Sequence, residues 1–414
     1  MELLRVDQAR ERILSHFQPV TTETLPITAC LDRVLAESIA AANDFPPFDN
    51  SSMDGFAVRA EDLTEATAVS PRSLRVVADI PAGSHPTLSL APGEAARIMT
   101  GAPLPQGADA VVPVEDTSFD SRDPGAPAPR EVQIFKPVKT GDNRRARGMD
   151  LHSGDVVLNP GRILKPQDLG LLAMLGMANV PVYRKPRLAL FSTGDELLEV
   201  GAPLQDAKIR DSNSYMLAAL IEGAGAEVLR LGVAKDNHDA VKALLEKAVE
   251  ANVDLILSSA GVSVGAFDFV KQVIESQGKM DFWRVNMRPG KPVAFGEYRN
   301  IPFIGLPGNP VSAFVGFEVF VEPAIRRLCG LFDGEHERVR VRCEEQIDSD
   351  GRESYLRAHI RPDPNGENGG WSARLAGHQG SGNLYSLVRA NALLIIPAGV
   401  KCVPAGQELE AWFI

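Results

Sequence analysis

Two adjacent carboxylates follow an apolar run in residues 188–197, LALFSTGDEL. Asp195 and Glu196 in that setting suit a hard cation. Mg²⁺ prefers oxygen ligands and takes one or two carboxylates together with substrate phosphate oxygens. The same stretch also fits a helix start, with Thr193 or Asp195 as the cap and acidic residues in a first turn. Related loops recur downstream. SSAGVSVGAFDF is a Ser/Gly-rich turn followed by Asp268, and AKDNHD carries Asp236, which also reads as a helix N-cap. GLPGNPVSAF sets Gly308 and Asn309 before Pro310, a residue suited to a first helical position. Backbone N–H groups at such a start bind anions without side-chain charge. FWRVNMRPGKPVAFG places Arg284, Arg288 and Lys291 around a Pro-Gly turn. On a strand, Arg284 and Arg288 would share a face, which also describes a charged, solvated edge. DNRRARGMD adds Arg144, Arg145 and Arg147 ahead of Asp150, and two basic clusters in a chain of net charge −11 point to recognition of an anion.

The elements that must position these residues alternate regularly from about Arg187 to Arg327. RLALF, EVLRLGVA, VDLILSS and IPFIGLPG read as strands. SYMLAALIEGAG, HDAVKALLEKAVEA, FDFVKQVIESQG and the long PVSAFVGFEVFVEPAIRRL read as helices. That alternation implies right-handed crossovers and a parallel sheet covered on both faces. Ligands of such sheets lie outside the carboxyl ends of the strands, where the loops above fall. Between about Phe45 and Asp150 the chain is rich in Pro and Gly with short β-type runs, which predicts a small mainly β domain. There Met53 and Phe56, flanking Asp54, read as exposed. The tail after Leu328 reads as a β barrel or sandwich, and its loop GHQGSGNLYSLVRAN holds a hydrogen-bonding or packing His378.

Composition narrows the function classes. At 414 residues the chain suits about three domains at roughly 150 residues each. Hydrophobic residues at 44% and charged residues at 23% describe a soluble globular protein. No apolar run approaches the ~20 residues of a membrane span, and the charged amphipathic N-terminus is no secretory signal. Cys30, Cys329, Cys343 and Cys402 have no paired spacing for zinc or disulfides, which fits a reducing cytoplasm. Net charge −11 argues against nucleic-acid binding, which phosphate neutralisation dominates. No Ser/His/Asp order or reactive-Cys arrangement suggests covalent catalysis.

FDNSSMDGFAVR, IMTGAPLPQGADAVVPVE, FSTGDEL, GVSVGAFDF, RPGKP, GLPGNPVSAF and GHQGSG resemble, in order and approximate spacing, the molybdopterin molybdenumtransferases, of which the gephyrin E domain is a relative. The resemblance spans nearly the whole chain. It implies a multidomain α/β plus β fold. A doubly wound pterin-binding α/β domain (1–20 and 178–328) is joined by a linking domain (21–44 and 151–177), an inserted mainly β domain (45–150) and a C-terminal β barrel (329–414). The implied enzyme is a cytoplasmic homodimer with its active site between subunits. It takes adenylylated molybdopterin and molybdate, inserts molybdenum and releases AMP with Mg²⁺. Residue by residue, the resemblance implies catalytic roles for Asp54, Thr100, Asp150, Glu196, Asp236 and Asp268, and metal ligands in Asp195, Glu196 and Asp268. It implies substrate binding by Arg284, Arg288, Lys291, Pro307, Gly308, Asn309, Pro310, Arg357 and Ser381. Arg284 and Arg288 stand where lysines are common, so a planar fork replaces a point charge. Ala260 replaces the first glycine of a usual Gly-Gly pair, and Met149 a common Glu.

Two other readings compete. A binding scaffold would tolerate Asp268→Ala, and a pyrophosphate-cleaving nucleotide enzyme would leave the inserted and C-terminal domains unexplained.

Overall fold

Apolar runs bounded by glycine and polar turns build the central sheet. The computed structural model describes residues 3–120, 125–260, 269–282, 284–331, 336–363 and 370–414. The chain forms two compact units, one of residues 1–37, 160–173 and 177–414, the other of 38–159 and 174–176.

The first unit contains a six-stranded sheet in the order Glu227–Ala234, Arg187–Thr193, Leu255–Ser259, Ile301–Leu306, Ala294–Tyr298, Gly278–Phe282. The first four strands are mutually parallel. Six of the seven residues of Arg187–Thr193 and all of Leu255–Ser259 are buried, as a sheet covered on both faces requires. Alternate side chains feed opposite cores. Leu188 and Leu190 pack with Leu217, Ile304 and Phe320, whereas Ala189 and Phe191 pack with Val241, Leu245 and Phe303. The N-terminal helix Val6–Ser15 buries Val6, Ala9 and Ile13 against the first of these cores.

Two sequence expectations about this unit are overturned, and a third holds with a local change. The sheet is not wholly parallel, because its last two strands run antiparallel. A two-residue hairpin through Arg299 and Asn300, both at positive φ, reverses the chain between Tyr298 and Ile301. The long helix expected from Pro310 does run to Leu328, with a π-helical segment Phe317–Val321 between its α-helical parts Pro310–Gly316 and Glu322–Leu328. Finally, Arg284 and Arg288 share no strand face, since only Met287–Arg288 is extended, paired with Glu353–Ser354.

In the C-terminal region the strands Glu353–Pro362, Trp371–Leu375, Val339–Cys343, Glu408–Phe413 and Ala392–Ile396 pair in that order, and the last closes back on the first. This is a five-stranded barrel rather than a sandwich, and closure leaves no edge among these strands. The second unit is mainly β, with five strands ordered Ala110–Pro113, Gly55–Val58, Glu94–Ile98, Arg72–Ile80, Glu131–Ile134. Phe56, expected at the surface, is fully buried in its core, while Met53 is 39% exposed. Among the described residues no helix is long and apolar enough to cross a membrane.

Candidate active site

The sheet order reverses beside Arg187–Thr193, whose sequence successors lie on either side. A cavity of about 730 Å³ opens at the carboxyl ends around that point, as the switch-point rule expects. Ser192, Thr193 and Gly194 line it at the first strand end, Ser259 and Ala260 at the third, and Pro307, Gly308, Asn309 and Pro310 after Ile301–Leu306. Glu196, Arg210, Asp211, Asn213 and Asp236 complete one side, with Gly382 and Leu384 of the C-terminal region on another.

No helix follows STGDEL. Leu197–Leu198 instead forms a short parallel bridge to Ile209–Arg210, so Thr193 and Asp195 cap nothing. Gly194 has a φ of +148°, and a Cβ there would lie 2.6 Å from a Glu196 carboxylate oxygen. Glycine at this position lets the Glu196 side chain fold back over the loop. Asp195 and Asp236 approach reciprocally, each backbone N–H 3.4 Å from the other's carboxylate. Asp236 is no N-cap either: Asn237 accepts the Ala240 N–H at 2.9 Å and caps the helix His238–Glu250. Burial raises the Asp236 carboxyl above its ordinary value, the Asp195 backbone N–H works against this, and the charges of Asp195 and Glu196 add to the rise. Such mutual repulsion is relieved by a cation. Lys208 donates to the Asp195 carbonyl. Asp268 lies outside the described residues.

The turn at Pro310 differs from a free anion cradle. The Val311 N–H donates to the Ser381 carbonyl at 3.1 Å, which fastens the C-terminal GHQGSG loop to the PGNP turn. In that loop His378 accepts the Gly380 N–H at 3.2 Å, as a hydrogen-bonding histidine should. Arg357 is fully buried beneath it. Its Nε donates to Ser386 at 3.0 Å, and one terminal nitrogen to the carbonyls of His378 and Gly380 at 3.2 and 3.1 Å. The other terminal nitrogen, Nη1, is buried with no partner among the described residues. Burial pushes the Arg357 guanidinium down to about 10, and the nearby charge of Arg288 adds to that. Two guanidiniums close enough to repel, one with an unused donor, form a setting that an anion stabilises. Arg288 also borders a 130 Å³ cavity with Ser349, Ser354 and Gln379. Arg284 and Lys291 are exposed.

Asp54, Thr100 and Asp150 belong to the second unit. Both the N–H and the hydroxyl of Thr100 donate to one Asp54 oxygen at 2.7 Å and hold that carboxyl below its ordinary value. Each arginine of the basic run nearby has a carboxylate neighbour. Arg144 pairs with Asp49 at 2.6 Å, Arg145 with Asp150 at 2.5 Å and Arg147 with Asp44 at 2.7 Å.

Sequence reasoning passed over Asp211, Asn213 and Arg210 in IRDSN, although a Ser/Asn/Asp run before a helix is a legible cap signal. Asp211 accepts the Ser214 N–H at 3.0 Å and its hydroxyl, and Ser214 in turn meets Ser192 at 2.9 Å. A second grouping also went unnoticed. Among the described residues, three ligand-type atoms come within 4.8 Å of one another only at Glu318, Glu322 and His336. Asp195, Glu196 and Asp236 therefore form no closed cage. His336 Nε2 sits 2.6 Å from Glu322 and 3.4 Å from Glu318, and the ring stacks on Trp412 at 4.7 Å. This ties the π-helical segment to the barrel strand Glu408–Phe413.

Comparisons with known proteins agree along the whole chain. Residues 4–176 match the family model described as MoeA N-terminal region (domain I and II), 189–327 the "Probable molybdopterin binding domain", and 340–414 the MoeA C-terminal region (domain IV). A molybdopterin molybdenumtransferase of Nostoc is 40% identical over 395 residues, covering 94% of this chain and 88% of that protein. Molybdopterin molybdenumtransferase 2 of Mycobacterium tuberculosis is 39% identical over 418 residues, covering 99% of each. The crystal structure of a molybdopterin biosynthesis moea protein from Pyrococcus horikosii superposes with a TM-score of 0.84 at 33% identity, over 100% of this chain and 99% of that one.

Proposed function

The chain belongs to the molybdopterin molybdenumtransferase family, and on that premise we propose that it inserts molybdenum into adenylylated molybdopterin with release of AMP. The observation that carries this reading is the 730 Å³ cavity, lined by Glu196 and Asp236 together with the PGNP turn and residues of the C-terminal loop. It has room for a nucleotide-sized ligand.

Molybdate and a pyrophosphate are both anions, and their approach must be offset. Arg357, through its unused buried Nη1, together with Arg288 holds molybdate. The PGNP turn receives the phosphates. The all-oxygen set of Asp195, Glu196 and Asp236 fits Mg²⁺, which keeps waters and needs no closed protein cage. Asp268 joins these carboxylates in our assignment. The bound ion supplies charge compensation to the pyrophosphate. Asp54, Thr100 and Asp150 act from the inserted domain, and Arg284, Lys291 and Ser381 complete the substrate contacts. The four-domain division given above and a cytoplasmic homodimer with its site between subunits belong to the same proposal.

The test is AMP release from purified protein given adenylylated molybdopterin and Mg²⁺, with and without molybdate. Molybdate-dependent release that Glu196→Ala abolishes supports the transferase. Release without molybdate dependence indicates a pyrophosphate-cleaving enzyme, and none at all revives the scaffold.

A further inference from the structure

Asn213 opens the helix Asn213–Gly223 as its first residue, one position after the N-cap Ser212. Its side chain does no capping. Asp211 accepts the Ser214 N–H instead, which leaves the Asn213 amide free to turn elsewhere. Nδ2 donates to the Ser259 hydroxyl at 2.9 Å and to the Gly308 carbonyl at 2.7 Å. One amide thus joins the end of the strand Leu255–Ser259 to the loop after Ile301–Leu306, both of which line the cavity. A carbonyl can only accept, so the Gly308 contact sets which end of the amide is nitrogen. Oδ1 must then face away, and it is buried without a partner among the described residues. An orphaned buried acceptor is costly and calls for a reason.

The reason lies one atom further along the chain. A peptide unit is planar, and its C=O and N–H point in opposite directions. By holding the Gly308 carbonyl, Asn213 also fixes the direction of the Asn309 N–H. That N–H has no acceptor among the described residues, and Gly308 and Asn309 both line the cavity and are exposed. A donor held in place before the ligand arrives needs no reorganisation when charge appears.

We propose that Asn213 is a positioning residue that aims the Gly308–Asn309 peptide, so that the Asn309 N–H meets a phosphate oxygen of the substrate. The inference rests on the reading of this cavity as the adenylylated-substrate site. Asn213 touches no reacting atom; it acts through the peptide it holds.

Asn213→Leu is the informative change, because it is near-isosteric, neutral, and removes the orphaned acceptor together with the tie. The expected result is an unchanged or higher thermal midpoint combined with a KM for adenylylated molybdopterin raised about tenfold, the worth of one hydrogen bond to a charged group. The KM for molybdate should stay as in the parent protein. Ser258→Ala, which removes a buried unpartnered hydroxyl with no tie to either segment, should change none of these. Calorimetry with ADP, a pyrophosphate-bearing probe, reads the same loss without turnover. If the parent protein is active and Asn213→Leu keeps its KM and ADP affinity, the proposal fails. A lowered midpoint with both KM values shifted alike overturns it in favour of a purely structural role. A parent that binds ADP but releases no AMP refutes the transferase reading alone, and the ADP comparison still decides the role of Asn213. A parent that neither releases AMP nor binds ADP refutes both.

Discussion

Replacing Glu318 by Gln should flatten the pH dependence of stability between about pH 4.5 and 7.5. The Glu318 side chain is 9% exposed. Burial pushes its carboxyl from 4.5 up to about 7; the charge of His336 opposes the rise and that of Glu322 adds to it. The folded chain therefore holds a proton that the unfolded chain has already released, so stability falls as pH rises through this window. At ~1.4 kcal/mol per pH unit, moving a carboxyl from 4.5 to about 7 is worth at most about 3.5 kcal/mol. His336 adds to the same slope. Burial alone would lower its pKa, but the hydrogen bond that its ring donates to Glu322 and the charges of Glu322 and Glu318 outweigh that and leave it raised. Its contribution is complete below 6.5 and is lost as pH rises through the folded value. Other titratable or charged groups around the cluster are Arg10, Arg338 and Tyr355, which border the same small cavity, and Arg326, 3.8 Å from Glu322. The assay is the thermal midpoint of parent and Glu318→Gln across this range at constant ionic strength. The parent should lose a few degrees more than the variant on going from pH 5 to 7.5. Equal slopes, or a parent that gains stability with rising pH, would refute the assignment of a buried, proton-retaining Glu318.

Further outcomes follow from the site. Arg357→Lys keeps the charge but loses the fork that serves Ser386, His378 and Gly380; the KM for molybdate should rise tenfold or more while that for adenylylated molybdopterin changes little, as steady-state kinetics would read. Gly308→Ala places a Cβ 3.2 Å from that of Ala260 and should cost about 1 kcal/mol, a cost that Ala260→Gly removes because the next atom lies at 3.8 Å. Non-additive thermal midpoints across that double-mutant cycle are the check. Thr100→Val takes one donor from Asp54, so the Asp54 carboxyl should titrate closer to 3.8 by NMR. Because a lowered carboxyl contributes above its unfolded value and loses that contribution as pH falls, the variant should also be less stable near neutral pH and lose less than the parent on acidification.

Much was legible in the chain because burial writes itself into local pattern. Arg187–Thr193 and Leu255–Ser259 had to be interior strands, since an apolar run of that length leaves no face for water. Val6, Ala9 and Ile13 announced one buried helix stripe. The alternation of such runs set the class of fold, and class placed the loops carrying Glu196, Asp236 and PGNP at one edge of the sheet.

Contacts between distant segments were not legible. Whether Arg144 is a free cation or a neutralised one depends on Asp49, which lies 95 positions away. Asp236 loses the cap to Asn237 because backbone direction, not residue type, decides which carboxylate or amide oxygen reaches the Ala240 N–H. The antiparallel end of the sheet follows from Arg299 and Asn300 adopting positive φ, an uncommon choice that sequence alone does not impose on Arg. The family resemblance named Arg357 for substrate binding, but only closure of the barrel beneath the C-terminal loop buries it and strands one donor among the described residues. The sequence by itself determined which surfaces must leave water. Only the tertiary structure decided which polar groups were left unpaired at the edge of that interior, because hydrogen bonding depends on direction whereas the hydrophobic effect depends chiefly on area.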